Sequence, residues 1–192
     1  MHMKPVLLFL LAIILSACTW REPNGQAGRI YYEIPDFSPA DTLFRVSERP
    51  YAMGAPFGYV DQRGDTVIPY GRFALSFTDT LLTLGIVAEQ AGADYELIAI
   101  NQGGERLYEV FEYDNGPDYL QEGLFRIRQN GRIGYADRTG RIVIPPQFGC
   151  AYPFSGGRAK VALECTTRPA GEHTEWVSED WYYIDKSGRA VR

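Results

Sequence analysis

Histidine is nearly missing from this chain, with 2 in 192 residues. His2 belongs to an apolar leader, so His173 stands alone. A histidine-based triad or a multi-histidine metal centre needs a second imidazole, and none remains to supply it. No phosphate-cradling glycine loop, no G-x-S-x-G elbow and no zinc-type cysteine spacing occurs either. Excess positive charge is also lacking, since 19 Lys and Arg face 24 Asp and Glu for a net charge of −5. With no basic stripe to neutralise phosphates, nucleic acid is excluded as a partner. Long apolar runs are lacking beyond Pro5 to Leu15, which is too short to span a bilayer with ease. These absences give the expectation of a chain that is not an enzyme and has no catalytic residue, resident metal or cofactor.

That one apolar run gives an address. Lys4 supplies a positive flank, Pro5 to Leu15 the apolar stretch, and Ser16 and Ala17 the small residues before Cys18. Leu15-Ser16-Ala17-Cys18 resembles the lipobox of bacterial lipoproteins. The resemblance implies a signal peptide over 1–17, lipidation of Cys18, and a membrane as partner through that lipid. One acyl chain holds a membrane marginally and two hold it stably. The expected location is therefore the bacterial cell envelope, lipid-anchored. Thr19 stands where an aspartate would signal inner-membrane retention in enteric bacteria, which points to the outer membrane. Residues 18–36 carry Pro, Gly and Asn early and read as a tether, with Ile30-Tyr31-Tyr32 as a candidate edge strand. Residues 37–192 read as the folded domain.

Cysteine is scarce too, with 3 in all. Apart from Cys18, Cys150 and Cys165 form an even pair in an exported chain, where oxidising conditions favour a disulfide over two buried thiols. Bonded, they would close a loop of about 15 residues, worth roughly 3 kcal/mol in the chain-entropy picture.

What the chain does have is aromatic residues, 14% of the total with 13 tyrosines, and a repeat. GYVDQRGDTVIPY at 58–70, GYADRTGRIVIPP at 134–146 and WYYIDKSGRAVR at 181–192 align on D-x-x-G. The core recurs at Asp61/Gly64, Asp137/Gly140 and Asp185/Gly188, with a degenerate copy at Asn101/Gly104. Four residues before the Asp position stand Phe57, Leu97, Ile133 and Trp181, and six after it stand Val67, Leu107, Val143 and Val191. Each copy reads as strand, tight turn, strand. Asp or Asn accepts backbone N–H bonds from the residues that follow, and glycine supplies the positive φ at the turn exit. A further strand precedes each hairpin: DTLFRV (41–46), DTLLTL (79–84), EGLFRI (122–127) and GGRAKV (156–161). Asn130-Gly131 joins the third of these to its hairpin by the strongest short turn signal in the chain.

The stretch EGLFRIRQNGRIGYADRTGRIVIPPQF, Glu122 to Phe148, resembles the bacterial WG repeat. The Trp place holds Phe57, Leu97, Ile133 and Trp181, and Gly58 and Gly134 keep the glycine. The resemblance spans about 37–192 and implies modules of binding or assembly with no catalytic set. The expected fold is all-β: about four antiparallel three-stranded meanders with a period near 40. One meander cannot bury its apolar face alone, so neighbours must share a core. An open solenoid or superhelix is the favoured arrangement, and a propeller-like ring the alternative.

The last interval between copies is lengthened by TRPAGEHTEWVSED, 167–180. Its Glu172, Glu175, Glu179 and Asp180 read as a solvated acidic insertion, with a weak calcium site or a glycosidase-like carboxylate pair as lesser alternatives. Trp176 is either an exposed contact anchor, or packing against the Trp181/Tyr183 strand or paired within an added hairpin. Trp176, Trp181 and Tyr183 are the candidate binding residues. Trp181 to Val191 also resembles the aromatic hairpins of choline-binding and other cell-wall-binding repeats. Two functions follow as expectations: an envelope-anchored, non-enzymatic lipoprotein that binds or scaffolds a protein partner, or one that binds cell-wall glycan through its last repeat.

Overall fold

The computed structural model describes residues 42–49, 54–171 and 173–191. The leader, Cys18, the tether with its Ile30–Tyr32 strand, and Glu172 lie outside the described residues. Among the described residues the chain is built of antiparallel strands without a helix, and none of its sheets closes into a barrel.

Four three-stranded units follow one another. The first comprises β1 (Leu43–Ser47), β2 (Phe57–Val60) and β3 (Thr66–Ile68). The short strands β4 (Leu75–Ser76) and β5 (Thr80–Leu81) lead to the second unit, β6 (Gly85–Ala91), β7 (Asp94–Ile100) and β8 (Arg106–Val110). A small hairpin, β9 (Glu112–Tyr113) and β10 (Gly116–Pro117), precedes the third unit, β11 (Leu124–Gln129), β12 (Arg132–Asp137) and β13 (Ile142–Phe148). Next comes β14 (Cys150–Ala151), then β15 (Arg158–Ala162), an added hairpin of β16 (Thr166–Ala170) and β17 (His173–Val177), and finally β18 (Tyr182–Asp185) and β19 (Ala190–Val191). β15, β18 and β19 form the fourth unit.

The D-x-x-G turns are built alike. At Asp61, Asn101, Asp137 and Asp185 the backbone N–H of the fourth residue on donates to the side-chain Oδ1, at 2.9, 2.9, 3.2 and 3.0 Å. Gly64, Gly104, Gly140 and Gly188 each donate N–H to the carbonyl of the Asp or Asn, at 2.9 to 3.1 Å, and have φ between 76° and 90°. An L side chain is strained at such a φ, which is why glycine recurs there.

One expected strand is displaced. DTLLTL does not start the second unit. Pairing of the first strand with the second sets Val46 opposite Gly58, Val87 opposite Ile98, Ile127 opposite Gly134 and Val161 opposite Tyr182. The true counterpart of DTLFRV is therefore the stretch ending at Val87, three residues beyond DTLLTL. Within DTLLTL, Thr80-Leu81 instead pairs with Phe44-Leu43 as β5 and covers the outer edge of β1. Buried Leu81 makes that placement favourable, joining Leu43, Phe57 and Phe73 in one cluster.

β4, β8 and β14 each lie along the first strand of the following unit, and β8 thereby keeps the second and third units in one 7-stranded sheet. Ser76 pairs with Val87, Val110 with Ile127, and Ala151 with Val161. The cores lie at the junctions accordingly. One cluster joins Tyr59 and Ile68 of the first unit to Val87, Ile98 and Ile100 of the second. A second joins Ala99, Tyr108 and Val110 to Phe125, Ile127 and Ala136. The third joins Tyr135, Ile144 and Phe148 to Ala159, Val161 and Ile184. Each turn also seats on the unit before it: Gly104 lies against Ile68, Tyr108 Oη donates to the Gly140 carbonyl at 2.8 Å, and Gly188 lies against Ile144.

The glycine of the WG pair has a steric reason. β13 bulges opposite Gly134, since Ile133 faces Phe148 while Tyr135 faces Ile144. A Cβ at Gly134 would stand 2.5 Å from the Ile144 carbonyl oxygen and 2.6 Å from the Pro146 nitrogen. Gly58 meets the same obstacle at Ile68 O, 2.6 Å away.

Candidate binding face of the last repeat

The face by which the first and third units receive their successors carries a tyrosine. Tyr59 and Tyr135 point into the first and third junctions and are buried there. Tyr59 Oη donates to the Thr78 carbonyl at 2.6 Å, and Tyr135 Oη to the Tyr152 carbonyl at 2.7 Å. Burial away from water raises both phenols above their ordinary value of 10.0. Tyr183 occupies the same place in the fourth unit, and it is 40% exposed.

Around Tyr183 the last sheet presents an outward face. Ala159, Val161 and Ile184 turn inward and are buried, so by strand alternation Arg158 and Lys160 turn outward. Lys160 lies opposite Tyr183, which lies opposite Val191, and the Tyr152 N–H donates to the Lys160 carbonyl at 2.9 Å. The Lys160 ammonium stands 4.7 Å from the Trp181 ring centre and 6.0 Å from that of Tyr152. The Arg158 guanidinium stands 4.7 Å from the Tyr183 ring. At these distances the ring quadrupoles attract the cations.

An aromatic band continues from this face across the junction. Tyr152 meets Trp181 at 5.5 Å and Trp176 at 5.3 Å, and Trp176 meets Phe111 at 5.8 Å. The Arg126 guanidinium lies 4.1 Å from the Phe111 ring and 5.7 Å from Tyr113, which packs on Tyr119 at 5.9 Å. Arg126 is held by Asp118, whose carboxylate accepts from the Arg126 backbone N–H at 2.8 Å, from Nε at 2.9 Å and from Nη2 at 2.5 Å. This pair is almost wholly buried and fastens the loop after β10 onto β11.

The added hairpin delivers Trp176 to the band. Cys165, just before β16, is bonded to Cys150 of β14 with a Cα–Cα distance of 6.0 Å. Ser178 Oγ donates to the Glu164 carbonyl at 2.7 Å, and Glu164 pairs with Arg132 at 2.7 Å. With its root fixed, the hairpin lays Trp176 half-buried against the core of the last junction. Trp176 is thus a half-buried ring bridging Phe111 and Tyr152.

The remaining residues named from sequence fall elsewhere. Glu175 pairs with Arg168 across the hairpin. Among the described residues no group of histidine, cysteine, aspartate or glutamate is placed to hold a metal ion. The repeated aspartates are engaged in their turns. Hydrogen bonding by Ser187 and by the Arg189 N–H holds the Asp185 carboxyl below its ordinary value. A shallow depression of about 300 Å³ lies between β8 and β11, but its charges pair internally, Arg106 with Glu96 and Arg128 with Glu109. Sequence reasoning found Trp181 and Tyr183 and missed Tyr152, Arg158 and Lys160. The signal was available in RAKV (158–161), where charged and small residues alternate at the period of a strand.

Residues 133–164 match the family model described as WG containing repeat. No curated protein and no solved structure matches the chain. The matched stretch runs from the second strand of the third unit, through the sheet-switching β13 and β14, to just beyond the first strand of the fourth. The sequence repeat is therefore offset from the sheet unit by one strand, and a WG-type repeat is present at the last junction.

Proposed function

We propose that this chain is a non-enzymatic WG-repeat lipoprotein of the bacterial cell envelope. It is anchored, in the outer membrane, through a lipidated Cys18, and it binds or scaffolds a protein partner through the outward face of its last unit. The observation that carries the reading is Tyr183. Its counterparts Tyr59 and Tyr135 are covered by the next unit, whereas Tyr183 remains on the surface among Tyr152, Trp181 and two cations. The aromatic residues and the arginine of this face are of the types enriched at protein interfaces.

The units stack as an open array in this reading. Support comes from the turns: Gly104 and Gly188 seat on the preceding unit, while among the described residues nothing lies within 4 Å of where a Gly64 Cβ would stand in the first. A ring would bring the last unit against that turn. Small-angle scattering of an elongated particle is the expected outcome, and a disc-like profile would overturn it.

Partner binding is tested with a photo-crosslinking residue at Tyr183 in cells, and another at exposed Tyr95 as control. A defined adduct from position 183 and none from 95 is expected. Identical patterns would refute the assignment. Cys18→Ser should release the protein from the membrane fraction. A second reading, cell-wall glycan binding, is favoured by the surface rings of Tyr152 and Tyr183. It is weakened by Lys160 and Arg158 lying on Trp181 and Tyr183, where a sugar would stack. Co-sedimentation with peptidoglycan that is lost in Trp181→Ala would establish it.

A further inference from the structure

We infer that the partner presents an acidic, extended peptide segment to this face, with carboxylates seated on Lys160 and Arg158. The inference rests on the binding reading above and goes on to name the chemistry of the occupant. Its basis is a comparison of one position across the units. Lys160 immediately precedes Val161, as Arg45 precedes Val46 and Arg126 precedes Ile127, and these three apolar residues hold equivalent places. In the first unit Asp79 pairs with Arg45 at 2.7 Å, and the Arg45 N–H donates to the Asp79 carbonyl at 2.8 Å. In the third, Asp118 pairs with Arg126 at 2.5 Å and also accepts its backbone N–H. In both, a neighbouring segment brings an aspartate onto the first strand. Among the described residues Lys160 forms no ion pair, and neither does Arg158.

Three of the local acids are committed elsewhere. Asp185 faces Arg158 across the strands, yet its Oδ1 accepts from the N–H groups of Ser187 and Arg189, at 2.8 and 3.0 Å. Glu164 and Glu175 are paired with Arg132 and Arg168. Glu179 and Asp180 precede Trp181 and pair with neither cation. A chain of net charge −5 thus keeps two uncommitted cations on one aromatic face. Arg158 and Lys160 stand two residues apart on a strand and turn to the same side, with their Cα atoms about 7 Å apart. An extended peptide with acids at alternate positions repeats at the same spacing and turns those acids to one face.

The test is a titration of the full chain with a twelve-residue peptide of alternating Glu and Ser, followed through the indole N–H resonance of Trp181, assigned by Trp181→Phe. Saturable shifts are expected, weakening with added salt, and none with the Gln-Ser peptide. Lys160→Gln and Arg158→Gln should each weaken binding about two- to five-fold, the range of an exposed ion pair, with melting temperatures unchanged. Equal binding of the Gln-Ser peptide, or full binding by the double variant, would overturn the inference. Tighter binding of an acidic polysaccharide such as polygalacturonate would also overturn it and make the occupant a glycan. Self-association that needs Lys160, seen by sedimentation, would make the occupant a second copy. If the peptide fails while the Tyr183 crosslink persists, only this inference falls. If both fail, the binding reading falls with it.

Discussion

Removing the Asp118 carboxylate should be among the most damaging single changes open to this domain. Asp118 accepts three bonds from Arg126, at 2.5, 2.8 and 2.9 Å, and the two side chains are 2% and 4% exposed. In Asp118→Ala the guanidinium stays enclosed, with the Ala151 carbonyl at 3.2 Å and the Phe111 and Tyr113 rings still beside it but no counter-charge. A buried charge stripped of its partner costs about 3–5 kcal/mol, a large share of the roughly 5–15 kcal/mol that holds a domain together. Arg126→Met should cost a similar amount, because it leaves the carboxylate enclosed in turn. The double variant Asp118→Ala/Arg126→Met leaves no charge to solvate, so its loss should fall well short of the sum, by about 2 kcal/mol or more. Urea unfolding with the disulfide intact measures all three, and Trp176, packed on Phe111, gives a local fluorescence signal. Strict additivity would refute the reasoning, and so would a loss below about 1 kcal/mol for Asp118→Ala.

Gly134→Ala should cost about 3 kcal/mol, since the clashing atoms are backbone of the β13 bulge that cannot rotate away. Gly157→Ala, which meets no atom within 4 Å but has φ 78°, should cost about 1–2 kcal/mol, and equal losses in denaturant would contradict the steric account. Reduction of Cys150–Cys165, or Cys150→Ser/Cys165→Ser, should cost about 3 kcal/mol for a separation of 15 residues. Protease cleavage within 166–177 should rise with it, and unchanged cleavage would mean the hairpin root does not depend on the bridge. The Glu122 carboxyl sits below its ordinary value of 4.5, chiefly because Lys186 bonds to it and secondarily because the N–H groups at Gly157 and Gly156 do. A depressed folded value means this contribution is complete above about pH 4.5 and is lost as pH falls through the folded value. Glu122→Gln should flatten the fall of melting temperature in that acid range, and an unchanged slope would sink the assignment.

Much of the fold could be read from short spans of the chain, because its recurring device is local. An Asp side chain that bonds N–H groups two and four residues on needs no distant partner, so Asp61, Asp137 and Asp185 announce their turns. Asn130-Gly131 does the same for the hairpin of β11 and β12. DTLLTL misled because it copies DTLFRV in pattern, and its fate is set by a partner at Leu43-Phe44, far away in sequence. The junctions between sheets were hidden for the same reason. Tyr183 of β18 and Trp181 just before it were legible as alternate residues of one extended stretch. The Asp118–Arg126 pair was not, since an aspartate after Gly116-Pro117 looks like any turn residue until β11 is laid beside it. Trp176 had several readings in sequence, because its ring neighbours Phe111 and Tyr152 come from distant parts of the chain.

The short strands that run on to the next unit bear on when pairs can form in the growing chain. Ser76, Val110 and Ala151 have their partners on the first strand of the following unit, so those pairs become possible only once that strand has been made. At the front, β5 returns to β1 and covers that edge from within. At the back, the disulfide joins β14 to the root of the final hairpin and ties the last junction covalently.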